Sequence, residues 1–510
     1  MTNEIRMLHI RKTFGEVVAN DNANLTIRPG EILSLLGENG SGKTTLMNML
    51  SGIYQPDGGH IYVGEREVVI RSPRDAFALG IGMIHQHFKL VDVLTAAENV
   101  ILGLSEKPLT DLKAVSQSIR EICDRYGFVV DPNKKVYEMS VSEKQTLEIV
   151  KLLYRGAEVL ILDEPTAVLT PQETDKLFAV MNNMKADGKA IIIITHKLHE
   201  VMAISDRVAV LRKGQYIGEV ATSETDPQKL TEMMVGRAIA LNIDRPQSET
   251  RRLCLELKNV TVLDHEGVKK LDDVSFEAYG GEILGIAGIS GSGQKELLEA
   301  VAGLCRVKSG GEILYTAQEA EAPTNIVGKS PVEIRNLGVR LAFVPEDRLG
   351  MGLVGSMGIP GNMMLRSYKI GKTPFLNRKK PKELGAEIVR ALEVNTPGLS
   401  TPVRKLSGGN VQKVLVGREL STEPSLLMTA YAVRGLDIHT SYTIYRLLNE
   451  QKASGAAVVY VGEDLDVLLE LCDRILVLCA GQISGIVDGR NTTKEEVGLL
   501  MTHLGKEAGA

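Results

Sequence analysis

Apolar residues along this chain form two alternating patterns. Short continuous apolar runs, at 159–162 and 190–194, have the length of parallel strands that are buried on both faces of a sheet. Between such runs lie stretches whose apolar positions have helical spacing. The largely apolar segment 31–37 leads through a glycine-rich turn into one of these stretches, 43–52, which makes a strand–loop–helix unit. This alternation predicts an α/β fold.

The sequence also repeats. Residues 25–59 align with residues 276–311, so the chain is a duplicated domain rather than a solenoid. The polar stretch 242–252 joins the two halves and is suited to an exposed linker. We therefore predict a first domain at 1–241 and a second domain at 253–510.

Composition narrows the class of protein. The chain has 510 residues and a net charge of −5, with 59 Lys and Arg against 64 Asp and Glu, so we expect no basic field for nucleic acid. Its five cysteines form no CxxC pair and no disulfide framework, which is typical of a reducing compartment. The apolar runs fall short of the roughly 20 residues that span a bilayer. We expect a soluble chain, whose membrane role would depend on partners.

A phosphate-binding loop follows the first predicted strand. Residues 37–44 read GENGSGKT and match the pattern GxxxxGK[ST] between a strand and a helix. Backbone amides would surround the phosphates, Lys43 would add positive charge, and Thr44 would ligate Mg²⁺. The loop therefore predicts ATP and Mg²⁺ as cofactors. Its predicted ATP-binding residues are Gly37, Glu38, Asn39, Gly40, Ser41, Gly42, Lys43, Thr44 and Thr45.

An acidic pair follows the buried run at 159–162. Asp163 is placed to hold Mg²⁺, and Glu164 is placed to polarise the attacking water as a general base. Taken alone, such a pair could equally belong to a solvated turn. The next apolar run leads to His196, a candidate sensor of the γ-phosphate.

Two further positions have alternative interpretations. His85 and His87 have the HxH spacing of a metal site, but no third ligand is evident, and Gln86 between them fits better as a contact to Mg²⁺ and water. Phe14, upstream of the loop, is predicted to stack on adenine, with ordinary strand packing as the alternative.

The order of these segments resembles the ATP-binding cassette of ABC transporters, over nearly all of both halves. The resemblance implies that each half has a RecA-like core, a small antiparallel sheet and a helical subdomain, here near 88–155 and 347–420. It also implies head-to-tail pairing of cassettes, within one chain or between two. Each ATP would then lie between one phosphate loop and the signature segment of the opposite cassette.

The second half carries the complete signature. Residues 405–413 read KLSGGNVQK, so Ser407, Gly408, Gly409 and Asn410 are predicted to contact the γ-phosphate, with an ordinary helix cap as the alternative. The corresponding MSVSEKQ of the first half has Ser142 in place of the second glycine. The weaker signature therefore lies in the first half.

The second half lacks the catalytic residues of the first. Its phosphate cation, metal ligands, base and sensor are replaced together, which predicts a retired site. We therefore predict one working site, built from the first loop and the second signature, and one degenerate site. The degenerate loop keeps Gly288 and Gly293, and the replacements are Gln294 for Lys43, Lys295 for Thr44, Glu346 for Gln86, Ala430 for Asp163, Tyr431 for Glu164 and Glu463 for His196.

Residues 82–100, 153–173 and 288–297 are similar to the ATPases of bacterial sugar and nucleoside importers, most of all to the general nucleoside branch. This resemblance implies an ATPase at the cytoplasmic face of the cell membrane. Its partners would be two integral-membrane permease subunits and an extracytoplasmic substrate-binding lipoprotein, with no nucleic acid.

Two alternatives stay open. A simple-sugar importer usually keeps acidic residues where this chain has Ala430 and Tyr431. A tandem ABC protein that acts on ribosomes usually has two intact sites and a long charged linker. A scaffold that only senses nucleotide conflicts with the complete first site.

Overall fold

The structure, a computed structural model, contains two compact units, Met1–Ala240 and Leu241–Ala510. The residues that it describes are 4–15, 17–85, 88–104, 111–167, 169–195, 197–236, 243–246, 251–289, 291–317, 320, 322–336, 341–345, 347–368, 376–421, 424–462 and 464–502.

The first unit has a four-stranded sheet, in the order β2-β1-β4-β5, and a six-stranded sheet, in the order β10-β9-β3-β8-β7-β6. The strands are β1 Ile5–Phe14, β2 Val17–Ile27, β3 Ile32–Leu36, β4 Gly58–Val63, β5 Arg66–Val68, β6 Ile81–Ile84, β7 Val159–Asp163, β8 Ala190–Ile194, β9 Arg207–Arg212 and β10 Gln215–Ala221. The helices are α1 Lys43–Leu50, α2 Pro73–Ala78, α3 Ala96–Ile101, α4 Leu112–Tyr126, α5 Val141–Tyr154, α6 Pro171–Ala186, α7 Leu198–Ile204 and α8 Pro227–Val235.

The second unit repeats this plan, with sheets in the orders β12-β11-β14-β15 and β16-β17-β18-β13-β19-β20. The strands are β11 Arg252–Leu263, β12 Lys269–Gly280, β13 Ile283–Gly288, β14 Glu312–Tyr315, β15 Thr324–Asn325, β16 Leu341–Val344, β17 Leu426–Ala430, β18 Ala457–Val461, β19 Arg474–Cys479 and β20 Gln482–Asp488. The helices are α9 Gln294–Val301, α10 Pro331–Asn336, α11 Ile359–Met364, α12 Lys379–Ala391, α13 Gly408–Leu420, α14 Ile438–Ala453, α15 Leu465–Leu471 and α16 Lys494–Thr502. A single π-helical turn spans Arg348–Gly352.

The continuous apolar strands separate two cores in each unit. Along β8, Ile191 and Ile193 belong to one hydrophobic cluster, while Ala190, Ile192 and Ile194 belong to another. The strand must be apolar at every position because helices cover one face and the antiparallel sheet covers the other. This arrangement confirms the predicted α/β fold.

The parallel pairing brings the functional loops to one edge. β3 pairs in parallel with β8, and β8 pairs in parallel with β7. Because parallel strands end at the same edge, the glycine loop after β3 and the acidic pair after β7 come together there. The helices α3, α4 and α5 form the predicted helical subdomain of this unit, and α11, α12 and α13 form that of the second.

The segment between the halves differs from the expectation of an exposed linker. The side chain of Ile243 is buried in a core of the second unit, at 9 % exposure. Arg245 donates hydrogen bonds to the carbonyl oxygens of Leu469, at 3.0 Å, and Cys472. The expectation was wrong here because an apolar side chain completes this core and a guanidinium satisfies carbonyl groups at the end of α15. Among the described residues, no helix combines the length and the hydropathy needed to cross a membrane.

Candidate active site

The loop between β3 and α1 requires glycine at two positions. Gly37 has φ 156° and Gly42 has φ 95°. A Cβ atom would lie 2.3 Å from the Leu211 carbonyl oxygen at the first position and 2.3 Å from the Ala19 carbonyl oxygen at the second. No side chain tolerates such distances, so the loop folds tightly against the amino end of α1. Helix amides have no intrahelical acceptor at that end, and they favour an anion there.

Lys43 lies over this loop. Its Nζ donates to the carbonyl oxygens of Gly37, at 2.6 Å, and Glu38, at 3.0 Å. Burial lowers the pKa of Lys43, and the negative charges of Glu164 and Asp163 oppose that effect. The loop therefore holds a buried cation where the phosphates of a nucleotide would bind.

The structure brings Thr44 and Asp163 together, although they are distant in sequence. The Thr44 Oγ1 donates to the Asp163 Oδ2 at 3.3 Å. Burial, followed by the negative charge of Glu164, raises the pKa of Asp163 to about 6. A hydroxyl and a buried, electrostatically crowded carboxylate are hard oxygen ligands of the kind that Mg²⁺ prefers. These two side chains therefore fit the predicted metal site.

Glu164 has an uncommon backbone conformation. Its φ is 49°, in the left-handed region, and its amide donates to the Ile194 carbonyl oxygen at 2.8 Å. Such a conformation costs on the order of 1–3 kcal/mol in a residue other than glycine, and it often occurs at functional sites. The predicted general base therefore lies in a strained turn that is fixed to the neighbouring strand β8.

Several predicted residues lie outside the described part of the chain: Gln86, His196, Glu346 and Glu463. So does His87, one half of the alternative HxH metal site. Burial, followed by the positive charge of Lys89, lowers the pKa of His85. Within the described ranges, no three His, Cys, Asp or Glu side chains are grouped to hold a metal ion.

Phe14 ends β1 with its ring 44 % exposed. Tyr54 contacts it edge to face, with ring centroids 5.2 Å apart, and the Lys12 Nζ lies 5.6 Å from the Phe14 centroid. Asp57 accepts a 2.8 Å hydrogen bond from that Nζ. An exposed ring that is held by two neighbours supports a stacking role better than ordinary strand packing does. Lys12, Tyr54 and Asp57 could not be predicted from the sequence, because their link to Phe14 is tertiary.

In the second unit, the signature lies at the amino end of α13. The Ser407 Oγ accepts from the Asn410 amide at 3.4 Å and from its Nδ2 at 2.8 Å. The Asn410 Oδ1 in turn accepts from the Asn395 amide at 2.8 Å. Asn410 therefore braces the turn that contains Ser407, Gly408 and Gly409.

The corresponding turn of the first unit has a different cap. Ser140 and Glu143 form a reciprocal capping box, with distances of 3.2 and 2.7 Å. The Lys134 Nζ also contacts the Glu143 carboxylate at 2.6 Å. Val141 and Ser142 occupy the two glycine positions. Side chains at both positions and a nearby carboxylate make this turn less suited to a phosphate.

The glycine loop of the second unit keeps its shape without the cation. Gln294 is buried, and its Nε2 donates to the Ile289 carbonyl oxygen at 3.1 Å, the same kind of bond that Lys43 makes. Lys295, in the place of Thr44, is exposed and lies 3.8 Å from Glu299. The amide therefore replaces the ammonium in the loop's hydrogen bonding but carries no charge.

Tyr431 likewise keeps the backbone conformation of Glu164 without its carboxylate. Its φ is 52°, and its amide donates to the Val461 carbonyl oxygen at 2.9 Å, as Glu164 does in the first unit. A cavity of about 300 Å³ lies beside Ala430, the residue that precedes Tyr431. Lys295 and Ala430 line this cavity where the first unit has Thr44 and Asp163, and neither can ligate Mg²⁺.

A buried asparagine in each helical subdomain was also missed from the sequence. Asn99 accepts from the Val91 amide at 2.8 Å and donates to the Val91 and Thr95 carbonyl oxygens at 3.1 and 3.0 Å. Asn362 bonds both backbone groups of Val354 in the same way, at 2.8 and 3.2 Å. The available signal was a matching asparagine in the two aligned halves.

The sequence profile described as ABC transporter matches residues 20–167 and 271–429, one match in each unit. The Nucleoside import ATP-binding protein NupA of Lactococcus lactis subsp. cremoris is 41% identical over an alignment of 508 residues that covers 98% of this chain and 99% of that protein. The Guanosine import ATP-binding protein NupO of Bacillus subtilis is 43% identical over 513 residues, covering 99% of this chain and 98% of that protein. The Glucose import ATP-binding protein TsgD13 of Haloferax volcanii is 39% identical over 539 residues, covering 98% of this chain and 96% of that protein.

Proposed function

The chain belongs to the ABC transporter family and is an ATPase, and from this premise we propose that it is the energy-coupling subunit of a bacterial nucleoside importer. It would lie at the cytoplasmic face of the membrane, with two permease subunits and an external substrate-binding lipoprotein. The full-length similarity to proteins named for nucleoside and guanosine import supports this cargo.

One observation carries the assignment of the first site: Lys43, Thr44, Asp163 and Glu164 converge at one sheet edge, and Lys43 and Asp163 are buried there. Lys43 and the loop amides would bind the phosphates of ATP. Thr44, Asp163 and Gln86 would hold Mg²⁺, which when bound neutralises phosphate charge. Glu164 would take a proton from the attacking water. At the same time the water oxygen would bond to the γ-phosphorus, and the bond between that phosphorus and ADP would break. His196 would contact the γ-phosphate.

We further propose that the sites are composite and unequal. The cassettes at 1–241 and 253–510 would pair head to tail, within one chain or between two. The first loop would meet Ser407–Asn410, and the loop with Gln294 would meet the first unit's Ser140–Ser142 turn. The second site would not hydrolyse ATP. Gln294 replaces its cation, Lys295 and Ala430 replace the metal ligands Thr44 and Asp163, and Tyr431 replaces its base.

A simple-sugar importer is the second candidate, favoured by the 39% identity to a protein named for glucose import. Both candidates predict the same ATPase chemistry, since the cassette does not bind the cargo. The cargo therefore has to be tested on the partner proteins.

The experiment is purification of the tagged chain from its host in mild detergent, followed by identification of the proteins that copurify. We expect two hydrophobic permease subunits. Calorimetric titration of their external receptor with nucleosides, pentoses and hexoses should show binding of nucleosides only. Binding of sugars alone would establish the second candidate, and copurification of ribosomal RNA without permeases would contradict both.

A further inference from the structure

A half-buried guanidinium connects three elements of the second unit. Arg348 is the first residue of the π-helical turn Arg348–Gly352, which follows β16. Its Nη1 donates to the Gly408 carbonyl oxygen at 3.0 Å, and its Nη2 donates to the Arg434 carbonyl oxygen. Gly408 is the first residue of the signature helix α13, and Arg434 lies in the turn after β17. The guanidinium group therefore joins the signature to the two loops that flank the degenerate site, one after β16 and one after β17.

The bond to Gly408 determines how the signature turn presents its amides. A peptide unit is planar and trans, so fixing the Gly408 carbonyl oxygen also fixes the direction of the Gly409 N–H. Gly408 is the first residue of α13 and lacks the Cβ that restrains neighbouring peptides, so the bond from Arg348 adds a second restraint to the one that the helix itself gives this carbonyl. The Gly409 amide is one of those at the start of α13 that have no intrahelical acceptor. Arg348 thus directs an amide that belongs to the predicted phosphate-binding turn.

Arg348 stands on a segment that is itself fixed to α13. The Arg418 Nη2 donates to the Gly352 carbonyl oxygen at 2.8 Å, and the buried Glu419 pairs with Arg418 at 2.7 Å. The Asp347 carboxylate accepts from the Gly350 amide at 2.7 Å. The turn is therefore held at both ends, and movement of this segment would be transmitted to the signature.

The charge of Arg348 opposes the helix dipole. The amino end of a helix carries a partial positive charge, which disfavours a cation and favours an anion. Burial, followed by the positive charge of Arg434, lowers the pKa of Arg348, although arginine keeps its proton in proteins. In the free protein, the hydrogen bonds from Arg348 to two carbonyl oxygens offset this cost. When a phosphate is bound, the positive charge of Arg348 would attract it.

At the position that corresponds to Arg348, the first unit has no cation. The strands β6 and β16 align so that Phe88 takes the place of Arg348. Phe88 has no donor for the helix, whose amino end is braced instead by Glu143 and Lys134. The arginine therefore occurs in the half that carries the glycine signature.

We propose that Arg348 is a positioning residue for ATP hydrolysis, which orients the Gly408–Gly409 peptide of the signature toward the γ-phosphate. The proposal rests on the function proposed above. Arg348 acts through the signature turn, so its loss should lower the rate of the chemical step more than the binding of ATP.

The test uses the purified transporter with its membrane subunits and compares R348Q, R348K and the exposed control R390Q. We expect kcat for ATP to fall about 10- to 100-fold in R348Q, because small misplacement of a catalytic contact has effects of this size. The KM for ATP should change less than about threefold, and R348K, which can reach one carbonyl, should recover part of kcat. R390Q should match the parent, since Arg390 is exposed and, among the described residues, bonds only to the Ala386 carbonyl oxygen of its own helix.

A double-variant cycle with S407A separates positioning from general destabilisation. If Arg348 acts through the signature, R348Q/S407A should be no slower than S407A alone. The proposal would be overturned if the kcat losses of the two single variants multiplied in R348Q/S407A. A kcat of R348Q within twofold of the parent would also overturn it. Should R348Q fail to fold, R348K decides by the same cycle. Full activity of E164Q would instead refute the proposed function.

Discussion

The two units share a structural framework but differ in their chemistry. Glu31 pairs with Arg207 at 2.6 Å in the first unit, and Glu282 pairs with Arg474 at 2.7 Å in the second. The backbone directly after β7 and directly after β17 is left-handed, at Glu164 and at Tyr431. These features fix strands and turns, so they are needed for folding whether or not ATP is hydrolysed.

The differences occur at side chains that would contact nucleotide or metal. Gln294 keeps the loop's hydrogen bond but not the charge of Lys43, and Tyr431 keeps the turn but not the carboxylate of Glu164. Folding and catalysis therefore depend on separable sets of residues. Substitutions in the two units can therefore separate effects on catalysis from effects on folding.

The largest expected effect separates the two catalytic centres. Glu164→Gln removes the proposed base and should lower ATP turnover by about 10²–10⁴. Gln294→Ala should leave turnover within about twofold, because the second site is proposed to be inactive. Steady-state phosphate release from the assembled transporter measures both. Equal losses would contradict the one-site proposal.

The next effect separates the two signature turns. Ser140→Ala and Ser407→Ala each remove a helix N-cap and should each cost about 1 kcal/mol of stability. Only Ser407→Ala should also lower kcat, by about 10²-fold, because an aligned polar contact to the transition state is lost. Thermal unfolding and ATPase assays report the two effects separately. A comparable kcat loss in Ser140→Ala would place phosphate at the first signature as well.

A third comparison should give equal effects in both units. Asn99→Ala and Asn362→Ala each leave buried backbone groups of Val91 or Val354 without partners, which costs about 2–3 kcal/mol. The melting temperature of the affected unit should fall by about 4–12 °C. The exposed Asn133→Ala is the control and should change little. A fall in melting temperature for only one of the two variants would show that the two units do not share an equivalent framework.

The smallest effect concerns the adenine. Phe14→Ala should weaken ATP binding by about 1 kcal/mol, roughly fivefold, through loss of stacking. His265 lies in the corresponding hairpin connection of the second unit and is highly exposed, so His265→Ala should have no effect. Titration with a fluorescent ATP analogue measures both. Unchanged affinity in Phe14→Ala would favour simple strand packing.

Sequence reasoning predicted the α/β fold, the duplication and the family, and these are confirmed. The roles of the site residues stay predictions. The prediction of an exposed linker was wrong at Ile243, because the sequence around an isoleucine in a polar stretch does not indicate which core the side chain enters. Lys12 and Tyr54 were missed for the same reason: their contacts with Phe14 join residues with no common local pattern.

The sequence by itself determined which strands are buried on both faces, where the glycine loops lie and which half carries each reactive side chain. These features are local, since they depend on side-chain period and on residue type at aligned positions. Only the tertiary structure decided that Thr44 lies 3.3 Å from Asp163, that Tyr431 keeps the turn of Glu164, and that Arg348 reaches Gly408. Each of these depends on strand order and on packing between distant segments, which no local window of residues contains.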